Sequence, residues 1–256
     1  MITSTRHPRV QAVRRLHRRS ARVAERRFVV EGPQAVREAL GSLEELFVLD
    51  AEHPLAVAAA AAGATVTPVD AKVLAALAET ATPQGLVGVA PLLEPDLAVL
   101  DGARLVVVLH EANDPGNAGT VIRTADAAGA DAVVLTAGSV DPHNGKCVRA
   151  TAGSLWHLPV VHGVELPDVL SALRRTGVQV LATSGAGADD LDDLQDSGAL
   201  AQPTAWLLGS EAHGLPLDVL AQADRVVRIP LRGRAESLNL ATAAAVCLYA
   251  SARAQR

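Results

Sequence analysis

Short runs of Val, Leu and Ala recur along the chain, and most of the stretches between them are long enough for two or more helical turns. A run such as LVVVL at 105–109 shows no polar alternation, so a strand built from it has to be buried on both faces. Two-sided burial with intervening helices points to a parallel sheet covered by helices on both faces, an α/β fold. The composition agrees: 49% of residues are hydrophobic but only 2% aromatic, so the core has to be built from Ala, Val and Leu.

Two such alternations follow end to end. In the first, strands are expected over 27–30, 45–49, 65–69 and 85–90, with helices over 33–40, 54–62 and 71–78. Pro33 and Pro54 suit a first helical position and Asp70 a cap. This makes a small α/β domain over 27–92. The stretch PLLEPDLAVLDGA at 91–103 carries two prolines, three acids and a glycine, which sets a linker at 93–103. The second alternation spans 104–256. Its strands are expected at 105–109, 132–135, 158–161, 178–182, 205–208 and 225–229, and its helices at 118–129, 144–152, 167–176, 216–222 and 238–253.

Charge is distributed unevenly. The net charge is −5, yet residues 1–27 hold nine of the 23 Lys+Arg, all of them arginine, against Glu25 alone. A basic arm over 1–26, with a short helix over 8–20, ahead of an acidic body fits a chain whose end touches a polyanion. Arginine favours phosphate because its guanidinium fork binds two oxygens at once. The alternative is a solvated basic helix with no partner. No run of 18 apolar residues is present, and the N-terminus lacks the apolar core of a secretory signal. Cys147 and Cys247, the only cysteines, suit a reducing compartment and are too few for a zinc site. These features predict a cytoplasmic protein with no membrane span and no metal.

Ligands on parallel sheets bind at the loops after the carboxyl ends of strands. Three such loops have a composition unlike mere connectors. In HEANDPGNAGTVIRTADAAGA, 110–130, Asn113-Asp114-Pro115-Gly116 reads as a turn and Asn117 as a helix cap. At 100° per residue Ala118, Val121, Ile122 and Ala125 share one arc, and Arg123 lies near the middle of the opposite side. Helix geometry alone allows Arg123 to be a surface arginine paired with a nearby acid. In WLLGSEAHGL, 206–215, a glycine follows a buried strand and lets backbone approach a ligand; Ser210 and Glu211 could equally cap a helix. In VRIPLRGRAESLNLATAAAVCLYASAR, 227–253, Pro230 ends a strand, Arg232 and Arg234 form a basic turn, and Ser237 and Asn239 open an apolar helix. That helix has to be buried in the domain or against a second subunit.

Taken together, NDPGNAGTVIRTADAAG, LLGSEAHGL and RIPLRGRAESLNLATAA resemble the three signature motifs of the SpoU (TrmH) family of RNA ribose 2′-O-methyltransferases, in the SPOUT superfamily. The resemblance covers 104–253, including KCVRATAGSLWHLPV, and residues 27–90 resemble the ribosomal-protein-like substrate-binding domain that precedes it. It implies a C-terminal trefoil knot, which nothing in periodicity shows and which connection rules alone would reject. It also implies S-adenosylmethionine as cofactor and a homodimer whose active sites use both subunits. By position, Asn117, Arg123, Glu211, Ser237 and Asn239 match the family's catalytic polar residues. Gly209, Ile229 and Leu238, flanked by Leu208 and Ser210, match positions that hold the methyl donor. Leu240 and Ala241 stand where Val and Ser are common. Arg14, Arg15, Arg18, Arg19, Arg22, Arg26, Arg232 and Arg234 become the expected RNA contacts.

The chemistry expected of such a site is mostly alignment, which is worth about 7–11 kcal/mol in favourable cases, against 10²–10⁴-fold for a general base. The family proposal makes Arg123 the base, but an arginine guanidinium is too weak an acid to serve readily as one. A phosphate clamp that orients the hydroxyl is the better-founded role, with the proton leaving through Arg123, the phosphate or a water. Asn117 and Asn239 would then hold Arg123 and the nucleotide, and Ser237 and Glu211 would order the loops. With so few aromatics, RNA binding should rest on phosphates rather than stacking. The attached small domain favours ribosomal RNA, with transfer RNA as the alternative. A non-catalytic RNA-binding protein would be expected to have lost the polar loop residues, which are intact. A dinucleotide-dependent oxidoreductase would need a Gly-x-Gly-x-x-Gly after an early strand. Here Gly185 and Gly187 come late and Asp190 takes the third glycine's place.

Overall fold

The structure, a computed structural model, describes residues 1–256 in two compact units. The first unit comprises Met1–Leu93 and His143–Trp156, and the second Glu94–Pro142 and His157–Arg256.

In the first unit the elements run α1 (Pro8–Arg15), α2 (Arg19–Glu25), β1 (Arg27–Glu31), α3 (Pro33–Ala39), β2 (Glu45–Val48), α4 (Pro54–Ala61), β3 (Thr65–Pro68), α5 (Ala71–Leu77) and β4 (Leu86–Pro91). The sheet order is β1-β4-β2-β3. β4 is antiparallel to β1 and β2, while β2 and β3 run parallel. Asp70 caps α5 as expected, accepting from the Val73 N–H at 2.8 Å.

The N-terminal residues are not an arm. Ile2 bridges to Val69, and Val10, Val13 and Leu16 are buried with Phe47, Val73, Leu77 and Val89. Full burial of each such side chain contributes about 1.5–3 kcal/mol. The basic segment is amphipathic, and its valines and leucine hold it to the sheet. Arg22, expected to contact RNA, is 3% exposed. Its Nη1 donates to the carbonyls of Leu16 and His17 at 2.9 and 3.0 Å, so it closes the C-terminal end of α1, where carbonyls lack helical partners. Arg14, Arg15, Arg18, Arg19 and Arg26 are exposed, with Arg15 in a 3.5 Å ion pair with Glu25.

A second departure concerns residues 143–156, which the sequence pattern assigns to the 104–256 domain. They carry α7 (Gly145–Ala150) and belong to the first unit. Cys147, Val148 and Leu155 are buried there, His143 and Trp156 pack on the Phe28 ring, and the Trp156 indole donates to Ser42 Oγ at 3.1 Å. Arg149 reaches Glu31 at 3.0 Å and Glu79 at 3.3 Å. Hydrogen bonds from His17 hold the Glu79 carboxyl below the usual range; burial opposes them, and Arg149 adds to them.

The second unit runs β5 (Leu105–Leu109), α6 (Pro115–Ala128), β6 (Ala132–Thr136), β7 (Val160–Val164), α8 (Leu166–Arg175), β8 (Gln179–Thr183), β9 (Asp189–Asp190), α9 (Leu191–Asp196), β10 (Thr204–Leu208), α10 (Leu217–Leu220), β11 (Arg225–Arg228) and α11 (Leu240–Ala254). Its seven strands are all parallel, in the order β7-β6-β5-β10-β8-β11-β9. β5, β6, β10 and most of β8 are buried, as the uninterrupted apolar runs require. The expected linker is partly core: a 3-10 turn, Leu97–Leu100, buries Leu100 fully beside Val106, Val108 and Leu173. α11 packs on α6, and Trp206 of β10, fully buried, donates to the buried Ser251 hydroxyl of α11 at 2.9 Å. No helix is long and apolar enough to cross a membrane, and no group of side chains has the makings of a metal site.

Candidate active site

β10 lies between β5 and β8, so strands numbered far apart end side by side. Such a reversal of strand order opens a crevice at the carboxyl ends. The loops after β5, β8, β10 and β11 all emerge there.

The loop after β10 is closed by backbone. Gly214 N–H donates to the Ser210 carbonyl at 2.9 Å, and Gly214 adopts φ +66°. Gly209 sits against this turn: a Cβ there would lie 2.2 Å from the Gly214 carbonyl carbon and 2.5 Å from Leu215 N. Only glycine lets the chain fold back this tightly. No helix opens at Ser210 and Glu211, so neither is a cap.

Glu211 instead organises the loop after β5. Its carboxylate accepts from the Asn113 N–H at 3.1 Å, the Asp114 N–H at 3.3 Å and Asn117 Nδ2 at 3.0 Å. Partial burial pushes its pKa up; hydrogen bonds from the Asn117 side chain and from the N–H groups of Asn113, Glu211 itself and Asp114 outweigh this and hold it below the usual range. Asn117 is therefore not the cap of α6. Asp114 has that role, accepting from Asn117 N–H at 2.8 Å with Pro115 at the first helical position. This leaves the Asn117 side chain free to bridge, and its Oδ1 accepts from Asn239 Nδ2 at 3.0 Å. The opposite end of Asn239 caps α11, with Oδ1 accepting from the N–H groups of Ala241 and Thr242 at 2.9 and 3.4 Å. α11 thus starts at Leu240, and Ser237 is not its cap. One chain of hydrogen bonds, Asn239 to Asn117 to Glu211, ties the three loops together.

Two adjoining clefts flank this chain. One, of about 430 Å³, is lined by Asn117, Leu208, Gly209, Ser210, Glu211 and Asn239. The other, of about 340 Å³, is lined by Ser184, Gly185, His213, Ile229, Leu231 and Glu236. Thr183, Gly214, Ser237, Leu238 and Ala243 line both. Nine of the ten expected catalytic and donor-holding residues therefore meet at one place. Arg123 is the exception and lines neither cleft. It lies about 9 Å along the helix axis from Asn117 and two-thirds of a turn round. It is exposed and has no acid partner in the chain. Of the expected basic turn, Arg232 pairs with Asp192 at 2.8 Å while Arg234 stays exposed. Thr183, Ser184 and Gly185 were not legible as site residues, because their place follows from β8 lying beside β10.

The comparisons agree with this geometry. Residues 104–249 match the SpoU rRNA Methylase family, and residues 7–88 match the MRM3-like substrate binding domain. The chain is 36% identical over 251 residues to the 23S rRNA (guanosine(2553)-2′-O)-methyltransferase RlmP of Bacillus subtilis, covering 97% of each chain. It is 33% identical over 201 residues to the 23S rRNA (guanosine-2′-O-)-methyltransferase RlmB of a Burkholderia species, covering 76% of this chain and 80% of the other. Among solved structures, the AdoMet-bound rRNA methyltransferase of Sinorhizobium meliloti superposes with a TM-score of 0.88 at 34% identity, covering 98% of this chain and 97% of that one. With its three loops joined through Asn117 and with relatives matched over nearly its whole length, the chain belongs to the SpoU rRNA methylase family.

Proposed function

We propose that the protein methylates a ribose 2′-hydroxyl of ribosomal RNA, with S-adenosylmethionine as the methyl donor. The observation that carries this reading is the meeting of three sequence-distant loops through the Asn239–Asn117–Glu211 chain. The residues present fit the donor. Gly209 lines the cleft with backbone alone, and Leu215, Ile229, Leu231 and Leu238 supply an apolar wall beside it. Bound there, the donor supplies a methyl group on a sulfonium, already electrophilic.

The chain's own residues hold and align. Leu208, Gly209, Ser210, Ile229 and Leu238 form the donor's bed. Glu211 fixes the start of α6 against the loop after β10, and Ser237 sits where the two clefts join. Asn117 and Asn239 set the edge that faces the nucleotide. Arg123 acts as a phosphate clamp that orients the hydroxyl, a role for which the planar guanidinium fork, with its paired N–H donors, is suited. Its outward position suits a homodimer in which the arginine of one copy faces the cleft of the other. Val246 and Tyr249 of α11, 39% and 54% exposed, line an open groove with Leu191 whose rim carries Asp192, Gln195, Arg253 and Arg256, and these exposed apolar side chains support a second copy there. The trefoil knot suits a chain whose segment after β11 rejoins α6 through α11. The exposed arginines Arg14, Arg15, Arg18, Arg19, Arg26 and Arg234 contact RNA phosphates. A guanosine of 23S rRNA is the target that the names of the relatives support, and a cytoplasmic location follows from that substrate.

Calorimetry with S-adenosylmethionine, followed by transfer of tritiated methyl to 23S rRNA, tests the reading. Mapping ribose methylation in rRNA from a deletion strain then locates the nucleotide. Absence of donor binding would overturn the enzyme class; label entering transfer RNA alone would overturn the substrate.

A further inference from the structure

Arg123 can serve as a clamp only if no carboxylate of its own chain occupies it. Asp126 is the one acid in α6 and stands three residues on, the spacing at which helix side chains of opposite charge meet. It is turned elsewhere: its Oδ2 lies 2.7 Å from His157 Nδ1, at the start of the segment that leads into β7. The other polar residues of that helix face are satisfied internally. The Thr120 hydroxyl donates to the Gly116 carbonyl and the Thr124 hydroxyl to the Thr120 carbonyl, both at 2.8 Å.

We infer that His157 is a positioning residue that engages Asp126 and so keeps the Arg123 guanidinium free for RNA phosphate. The inference rests on the proposed role of Arg123 and extends it. Without His157, Asp126 regains the i, i+3 geometry with Arg123, and the substrate phosphate has to compete with a tethered carboxylate. His157 acts on Arg123 through Asp126, so removing the carboxylate as well removes the need for His157.

Single-turnover methyl transfer at saturating donor, together with RNA affinity and Tm, separates the outcomes. His157→Ala is expected to lower the rate about twofold, the worth of one exposed i, i+3 ion pair, and Asp126→Asn/His157→Ala to return it to the wild-type value, since coupled residues are non-additive. His157→Asn, which keeps a donor for Asp126, should stay near wild type. Tm guards against misfolding. A double variant as slow as His157→Ala, or a His157→Ala enzyme as fast as wild type, overturns the inference. Arg123→Ala is the control: if it keeps the wild-type rate, the role of Arg123 fails first and the positioning of its neighbour falls with it.

Discussion

At the scale of single residues, Asn239 has two jobs on opposite sides of one amide: its oxygen caps α11 and its nitrogen donates to Asn117. The two are separable. Asn239→Asp keeps a capping oxygen but presents an acceptor to Asn117, so methyl transfer should fall sharply while Tm holds. Asn239→Ala should lose both, with about 0.5–2 kcal/mol of stability going with the cap. Glu211 allows a pH test. Its folded pKa is held below the ordinary 4.5, so its hydrogen bonds contribute above that value and are lost as pH falls through the lowered folded pKa. Donor affinity measured by calorimetry should therefore weaken on the acid side, and Glu211→Gln should flatten that dependence. Asp114 and Asn239 show why caps are hard to assign from a sequence. Asn117 and Ser237 each satisfy the capping preference, and only the way the chain enters the helix decides which residue fills it.

At the scale of elements, Gly209→Ala should be more damaging than its size suggests, because the added methyl meets the 214–215 peptide rather than a movable side chain. A donor affinity reduced at least about tenfold, with a lowered Tm, is the expected result. The basic helices divide differently. Arg22→Ala should destabilise the first unit by about 1–3 kcal/mol, since it strips buried carbonyls at the end of α1, and should leave the salt slope of RNA binding unchanged. Arg18→Ala/Arg19→Ala should do the opposite, reducing the slope of log K against log salt by about 0.7–0.9 per lost contact with Tm unmoved. Equilibrium binding over a salt series and thermal melts distinguish the two. The strands of both sheets were legible as apolar runs with turns between them. β9 and α9 were not: the sequence pattern assigns no element to Asp189–Asp190 or Leu191–Asp196, and acids of these segments pair with Arg225, Arg228 and Arg232. α1 and α2 were read by charge as an arm because Val10, Val13 and Leu16 are sparse among arginines, yet those three decide the placement.

At the scale of the whole molecule, the three motif loops were legible as motifs but their meeting was not, because neighbourhood in a sheet depends on strand order. Placing β10 between β5 and β8 brings residues 117, 184, 211 and 239 to one crevice, and no local pattern in the chain encodes that order. The parallel direction of the central strands β5, β6, β8 and β10, by contrast, follows from composition: runs buried on both faces exclude a sheet with one wet side.

The excursion of 143–156 into the first unit makes the molecule indivisible at its apparent seam. A scission near residue 93 would leave the N-terminal piece without the ring partners of Phe28 and the guanidinium that meets Glu31, and would leave the C-terminal piece displaying Cys147, Val148 and Leu155 to water. The chain crosses between its units at 93–94, 142–143 and 156–157. Recombination that exchanges the N-terminal unit between relatives therefore has to carry this inner segment with it, as two separate pieces of chain rather than one.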